Sequence, residues 1–195
     1  MSFDLQPILV GELLELRPLR PEDFAGLYAV ASDPLIWEQH PANDRYKKDV
    51  FEIFFREALE SGGALLARDT KNGAVIGSSR FHAHDENKSE IEIGWTFLAR
   101  SYWGGTYNRE MKQLMLRHAF TFVNRVIFLV GSQNLRSQKA VEKLGGFRVG
   151  SKLDGAGRES FVYQITASTF GGTTKQIASE ATQSQNNKLQ IANYK

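Results

Sequence analysis

The chain contains no cysteine. Disulfides, thiolate zinc sites and a cysteine nucleophile are therefore excluded, and no acyl group can be parked on a protein thiol. An excess of one charge is also missing. Lys and Arg number 24 against 22 Asp and Glu, a formal net charge of +2. Three lysines (Lys175, Lys188, Lys195) against Glu180 place that whole excess after Ser168. The near-neutral body lacks the basic footprint of a general nucleic-acid binder, so no nucleic-acid partner is expected. No apolar run approaches membrane-spanning length, and no membrane partner is expected. The opening MSFDLQPILVGE has no basic stretch leading into an apolar core, so it does not read as a secretory signal. Together these absences predict a cytoplasmic protein.

What is present suits one globular domain. The 195 residues are 42% hydrophobic and 24% charged, enough for a sizeable core. Leu13–Leu19 reads as a strand. Pro21 then suits the first position of a helix whose apolar face is Phe24, Leu27, Tyr28 and Ala31. Tyr46–Ser61 reads as a second helix, with Phe51, Phe54, Phe55 and Ala58 on its buried side. Ala64–Asp69 and Ala74–His82 flank an Asn72-Gly73 hairpin signal, and Ser89–Leu98 continues the meander. Asn108–Val123 has helix spacing. Val126–Val130 is short and β-branched, as a buried strand should be. Ser137–Leu144 reads as a short helix, and Phe147–Lys152 with Glu159–Thr166 as a closing antiparallel pair. This mixed order predicts an α+β fold, a mixed sheet of six or seven strands with helices on both faces. Residues 1–167 form the expected domain, and 168–195 a polar extension too poor in apolar residues to build a core.

The most informative stretch is Trp103-Gly104-Gly105-Thr106-Tyr107-Asn108, between a strand and a helix. Two glycines let a ligand approach the backbone closely. The first helical turn leaves N–H groups unpaired at the positive end of the dipole. Such a turn binds phosphate or pyrophosphate.

A second segment, Asn134-Leu135-Arg136-Ser137 through Lys143-Leu144-Gly145-Gly146-Phe147, completes a pattern. With the glycine turn, the element order and the opening LELRPLRPEDFAGLYAVASDP, it resembles the GNAT acyltransferases. Within them it is similar to the ribosomal-protein and related N-terminal acetyltransferases. The resemblance covers roughly residues 10–167. It implies a splayed sheet whose two parallel central strands, Ser89–Leu98 and Val126–Val130, part to admit acetyl-CoA. It implies that the backbone at Phe97 and Leu98 pairs with the pantetheine amides. It implies that the turn from Trp103 through Gly104, Gly105, Thr106 and Tyr107 to Asn108 holds the pyrophosphate. Asn134 and Ser137 are implied beside the pantetheine arm and the thioester sulfur. The chain departs from the family where Thr106 replaces a usual glycine. Either Thr106 keeps helical angles or Gly105 takes the strained position.

Acetyl transfer to an amine needs a neutral amine, a polarised thioester and a proton for the leaving thiolate. Without cysteine, direct attack in a ternary complex is the expected route. Ser137 is either the proton donor or the N-cap of the helix that follows. Glu90 and Glu92 share one face of the central strand, and Glu92, the deeper, is the candidate base. Tyr102 reads as packing. His82 and His84 share a strand face but lack further ligands, so no metal is expected. His118 reads as packed, His40 as a loop residue or substrate contact, and Arg80 as a surface ion pair or a carboxylate ligand. The acceptor is a protein N-terminus or a small-molecule amine, and a homodimer is left open. The competing reading is a GNAT-fold module that binds an acyl-CoA without turnover.

Overall fold

A computed structural model describes residues 2–171. Beyond residue 171 the expected polar extension lies outside the described residues. Gly73 takes φ +70°, and the chain reverses there as the Asn-Gly pair predicts. Strands Ala64–Asp69 (β3) and Val75–Asp85 (β4) run from this turn and pair antiparallel. Before them come Leu9–Val10 (β1), Leu14–Pro18 (β2) and the helices Phe24–Ala31 (α1) and Lys48–Glu60 (α2). After them come Glu90–Leu98 (β5), Thr106–Ala119 (α3), Arg125–Gly131 (β6), Leu135–Glu142 (α4), Phe147–Leu153 (β7) and Glu159–Thr166 (β8). One sheet of eight strands holds them in the order β1-β2-β3-β4-β5-β6-β8-β7. The strand beyond the expected seven is β1, two residues long, too short to leave a periodic signal.

The sheet divides two cores. Leu14, Leu65, Phe81, Ile91 and Ile93 pack with Met111, Met115 and Leu116 of α3 and Val141 of α4. Leu66 and Phe97 pack on the other face with Leu27 of α1 and Phe51, Phe54 and Phe55 of α2. Trp37, 2% exposed, joins this second core.

Two irregularities in the ladder position the site. The pairs Ser78↔Phe97 and Arg80↔Gly94 enclose one residue of β4 but two of β5. The extra residue makes a bulge, and Trp95 takes φ +51° to accommodate it. The second irregularity is where pairing stops. Strands β5 and β6 run parallel, yet they pair only at Glu90↔Arg125, Ile91↔Val126 and Glu92↔Ile127. Beyond Glu92 the two strands part, as the family resemblance implies.

Candidate functional site

The gap between β5 and β6 leaves strand edges without ladder partners, so backbone donors and acceptors become available to a ligand. Phe97 opposes Ser78 of β4. The Leu98 carbonyl faces away, toward the gap, where Trp103 Nε1 donates to it at 2.9 Å. The Trp103 ring also carries the Arg136 guanidinium 3.9 Å from its centroid. Trp103 and Arg136 thus connect the end of β5 with α4 on the far side of the gap.

The glycine turn settles the question raised by Thr106. Gly104 and Gly105 take φ +105° and +116°, and nothing lies within 4 Å of where either Cβ would sit. Thr106 is the first residue of α3, two residues before the expected start, and no side chain caps the helix. The first intrahelical bond of this turn is Arg109 N–H to Gly105 O, at 3.1 Å. The amides of Thr106, Tyr107 and Asn108 therefore remain for an anion. Tyr107 points inward, donating to Asp69 at 2.9 Å, with its ring edge-on to Tyr102 at 4.8 Å. Glu110, one turn on, accepts from the amides of Glu12, Leu13 and Leu14 and ties α3 to the start of β2.

On the far side of the gap, Asn134 caps α4. Its Oδ1 accepts from Ser137 N–H at 3.1 Å, and the helix begins at Leu135. Ser137 is therefore not the N-cap, because the helix starts two residues ahead of it. Its hydroxyl, half-buried, makes no hydrogen bond among the described residues. Asn134 is itself 8% exposed.

Glu92 sits at the last position where β5 pairs with β6, 7% exposed. Burial pushes its carboxyl up to about 7, and Lys152 and Arg80 offset only part of that. Glu90 instead lies 2.8 Å from Arg125, though the Nε–H is not aligned with the contact. The two acids thus have different surroundings, one a half-buried ion pair and one a buried carboxyl at the mouth of the gap.

Arg80 is not a surface residue. It is 5% exposed and forms no surface ion pair. Its neighbour His82 meets Trp95 edge-on at 4.9 Å, while His84 lies against Phe3 at 5.2 Å. The two histidines do not share a face, because Ala83 takes φ +50° at a second bulge. No group of metal-binding side chains occurs among the described residues. His118 is packed among Phe3, Phe81 and Phe122 and bonds the Asp4 carbonyl. His40 lies in the loop after Trp37, its Nδ1 accepting from Ala42 N–H and its Nε2 3.2 Å from Arg45, and burial pushes it down to about 3.

One residue escaped the sequence reading. Lys112 of α3 is 5% exposed, directly behind β5. Its ammonium donates to the hydroxyls of Ser79 (3.1 Å) and Thr96 and lies over the Phe128 ring. Burial lowers it to about 7. Its spacing held a signal: Lys112, Met115, Leu116 and Ala119 fall at i, i+3, i+4 and i+7, one helix face.

A model of the acetyltransferase (GNAT) domain matches residues 14–146. The chain belongs to the GNAT acetyltransferase family. No curated protein matches this acetyltransferase, but solved structures do. A GCN5-related N-acetyltransferase from Brucella melitensis superposes with a TM-score of 0.72 at 21% identity, over 85% of this chain and 81% of that one. RimJ of Mycobacterium smegmatis, solved with CoA-disulfide, gives 0.65 at 21%, over 86% and 91%. Spermidine N-acetyltransferase from Vibrio cholerae, solved with CoA and spermine, gives 0.62 at 16%, over 82% and 99%. At these identities the likeness establishes the fold of the acetyltransferase. Among its described residues no helix is long and apolar enough to cross a membrane.

A shallow pocket of about 510 Å³ opens elsewhere, between α1 and the start of the β5–α3 turn. Gly26, Val30, Val75 and Ala99 line it, and Glu92, Asn134 and Ser137 do not.

Proposed function

We propose that the protein transfers an acetyl group from acetyl-CoA directly to a primary amine within a ternary complex. The observation that carries this reading is the parting of β5 and β6 immediately beyond the buried Glu92. The gap, the uncapped amides of α3 and the Asn134-capped α4 fit the parts of CoA in sequence. The amides of Thr106, Tyr107 and Asn108, with Gly104 and Gly105 clearing the approach, suit the pyrophosphate. Leu98 offers backbone groups to a pantetheine amide once the Trp103 indole moves off its carbonyl. Phe97 backs this edge from the paired side. Asn134 fixes the first turn of α4 and so places Ser137 beside the arm.

When bound, acetyl-CoA supplies the activated acetyl group. Glu92 takes a proton from the incoming amine, directly or through water. A carboxyl near 7 is well matched to this, since it ionises where the reaction must run. The amine nitrogen then bonds to the acetyl carbon as the carbon–sulfur bond breaks. Ser137 donates to the departing sulfur. No enzyme nucleophile intervenes, in keeping with the absence of cysteine.

The test is release of CoA thiol from acetyl-CoA with a panel of amines and N-terminal peptides. Amine-dependent release is expected. Undiminished CoA binding without release would instead identify a binding module. Ser137→Ala is expected to lower kcat by roughly 10²-fold, and full activity in that variant sinks the donor role.

A further inference from the structure

The α2 face of the sheet buries a charge that the fold leaves unanswered. Arg80 Nε and Nη2 are enclosed and meet no acceptor among the described residues. Glu57 and Glu92 reach Arg80 only through longer-range attraction. Its guanidinium lies 4.7 Å from the Trp95 ring centroid and 5.7 Å from that of Phe54. Rings hold the plane of a guanidinium in place but do not satisfy its N–H groups. A second guanidinium, that of Arg45, lies 4.5 Å from the same Phe54 ring and 5.6 Å from Trp37. Its side-chain neighbour is His40 Nε2 at 3.2 Å, but with Nδ1 accepting from Ala42 N–H the neutral ring carries its proton on Nε2 and offers Arg45 no acceptor there. Arg158 reaches the same loop, donating to the Pro41 carbonyl at 3.4 Å, but its charge is answered by Asp154 at 2.7 Å. A buried cation without acceptors is costly to fold around, and an arginine fork is shaped for a carboxylate.

The register relates this charge to the proposed base. Arg80 opposes Gly94, and Glu92 lies two residues along the same strand. Arg80 and Glu92 are therefore diagonal neighbours on one face, roughly 7–8 Å apart and somewhat closer between Cβ atoms. A ligand whose amine and carboxylate sit on the same or adjacent carbons can span their head groups.

We propose that the acceptor is a small amine bearing a carboxylate beside its reacting nitrogen, an amino acid, with Arg80 binding the carboxylate. The inference rests on the amine acetylation proposed above. In the reaction the N–C bond forms and the C–S bond breaks. The amine proton goes to Glu92, and the CoA thiolate gains one through Ser137. The products are an N-acetylamino acid and CoA. A polyamine would instead bring a further ammonium against Arg80 and Arg45.

The experiment compares amino acids with their carboxamides and with spermidine in the CoA-release assay, for the wild type and for Arg80→Gln. The wild type is expected to favour the carboxylates. In Arg80→Gln the carboxylate-to-carboxamide ratio of kcat/KM should fall by roughly 10- to 100-fold. Equal use of carboxamides by the wild type, preference for spermidine, or an unchanged ratio in the variant each overturns the inference. If no amine is turned over, the acetylation reading fails, and calorimetry with the same amino acids in the presence of CoA decides the site. Binding by the wild type that Arg80→Gln weakens supports it, and no binding overturns it. Circular dichroism and melting of Arg80→Gln separate a lost contact from a lost fold.

Discussion

Lys112 and Arg80 approach the same stretch of β5 from opposite faces, and the fold treats them differently. Lys112 is wrapped by two hydroxyls, Ser79 and Thr96, which also bond each other at 2.7 Å. Arg80 is wrapped by aromatic rings that offer it no acceptor. The first arrangement is complete without a ligand. The second is not. Both faces are buried, so depth alone does not mark a functional charge. What marks it is the supply of partners.

That contrast can be broken by experiment, beginning with the group that shares the Arg80 face. Glu92→Gln removes the carboxylate while keeping its volume, and kcat/KM should fall by about 10² to 10⁴-fold. In the wild type, activity should rise as pH passes through about 7, where Glu92 ionises. The variant should lose that rise, as a pH profile of CoA release will show.

Next comes Lys112→Met. In the fold Lys112 titrates near 7 rather than its ordinary 10.5. Between those values the unfolded chain holds a proton that the folded chain has shed, so stability rises with pH, by about 1.4 kcal/mol per pH unit. Glu92 acts in the other direction. It is raised from 4.5 to about 7, so its burial weakens the fold progressively as pH rises between those values. The two groups together make neutral pH the least favourable point. Lys112→Met should stabilise the protein by about 2 kcal/mol at neutral pH and flatten the alkaline side of a melting curve series. Ser79 and Thr96 remain satisfied by each other.

Arg80→Met should also raise stability without ligand, by about 1–2 kcal/mol, since the buried guanidinium it removes has Nε and Nη2 without an acceptor and only longer-range attraction to Glu57 and Glu92. If the comparison is right, added amino acid narrows the gap between wild type and Arg80→Met and leaves that between wild type and Lys112→Met unchanged. Asn134→Ala is the smallest change. It removes the α4 cap, with an expected loss of about 1 kcal/mol in denaturant unfolding.

Much of this could be read from the sequence. Periodicity placed β3, β5, β6, α2 and α3 within a few residues, because each buries a regular stripe. The glycine turn was visible because Gly104 and Gly105 both take φ values other residues avoid. Arg80 was harder. Serines flank it on one side and Phe81 and His82 follow, so alternation alone does not say which face is covered. Its burial depends on Phe54 and Trp95, distant in sequence and brought together by α2 and the bulge. His82 and His84 appeared to share a face because an unbroken strand alternates, and Ala83 breaks it. The sequence offered Ser137 as the cap, but the chain path gives that place to Asn134, three residues earlier, whose side chain has the same capping chemistry.

The bulge at Trp95 has a wider meaning. A strand assigns its residues to two sides by parity, odd one way and even the other. Before the bulge Ile91 and Ile93 face α3; after it Leu98 joins that core and Phe97 the α2 core. Gly94 and Trp95 are where the parity changes. Drawing that extra residue into regular alternation would carry Thr96 away from Lys112 and turn Phe97 away from Trp37, with no change in composition; deleting it would set Thr96 opposite Ser79 and leave both faces as they are. The division of labour between the faces is thus written as a single count along β5.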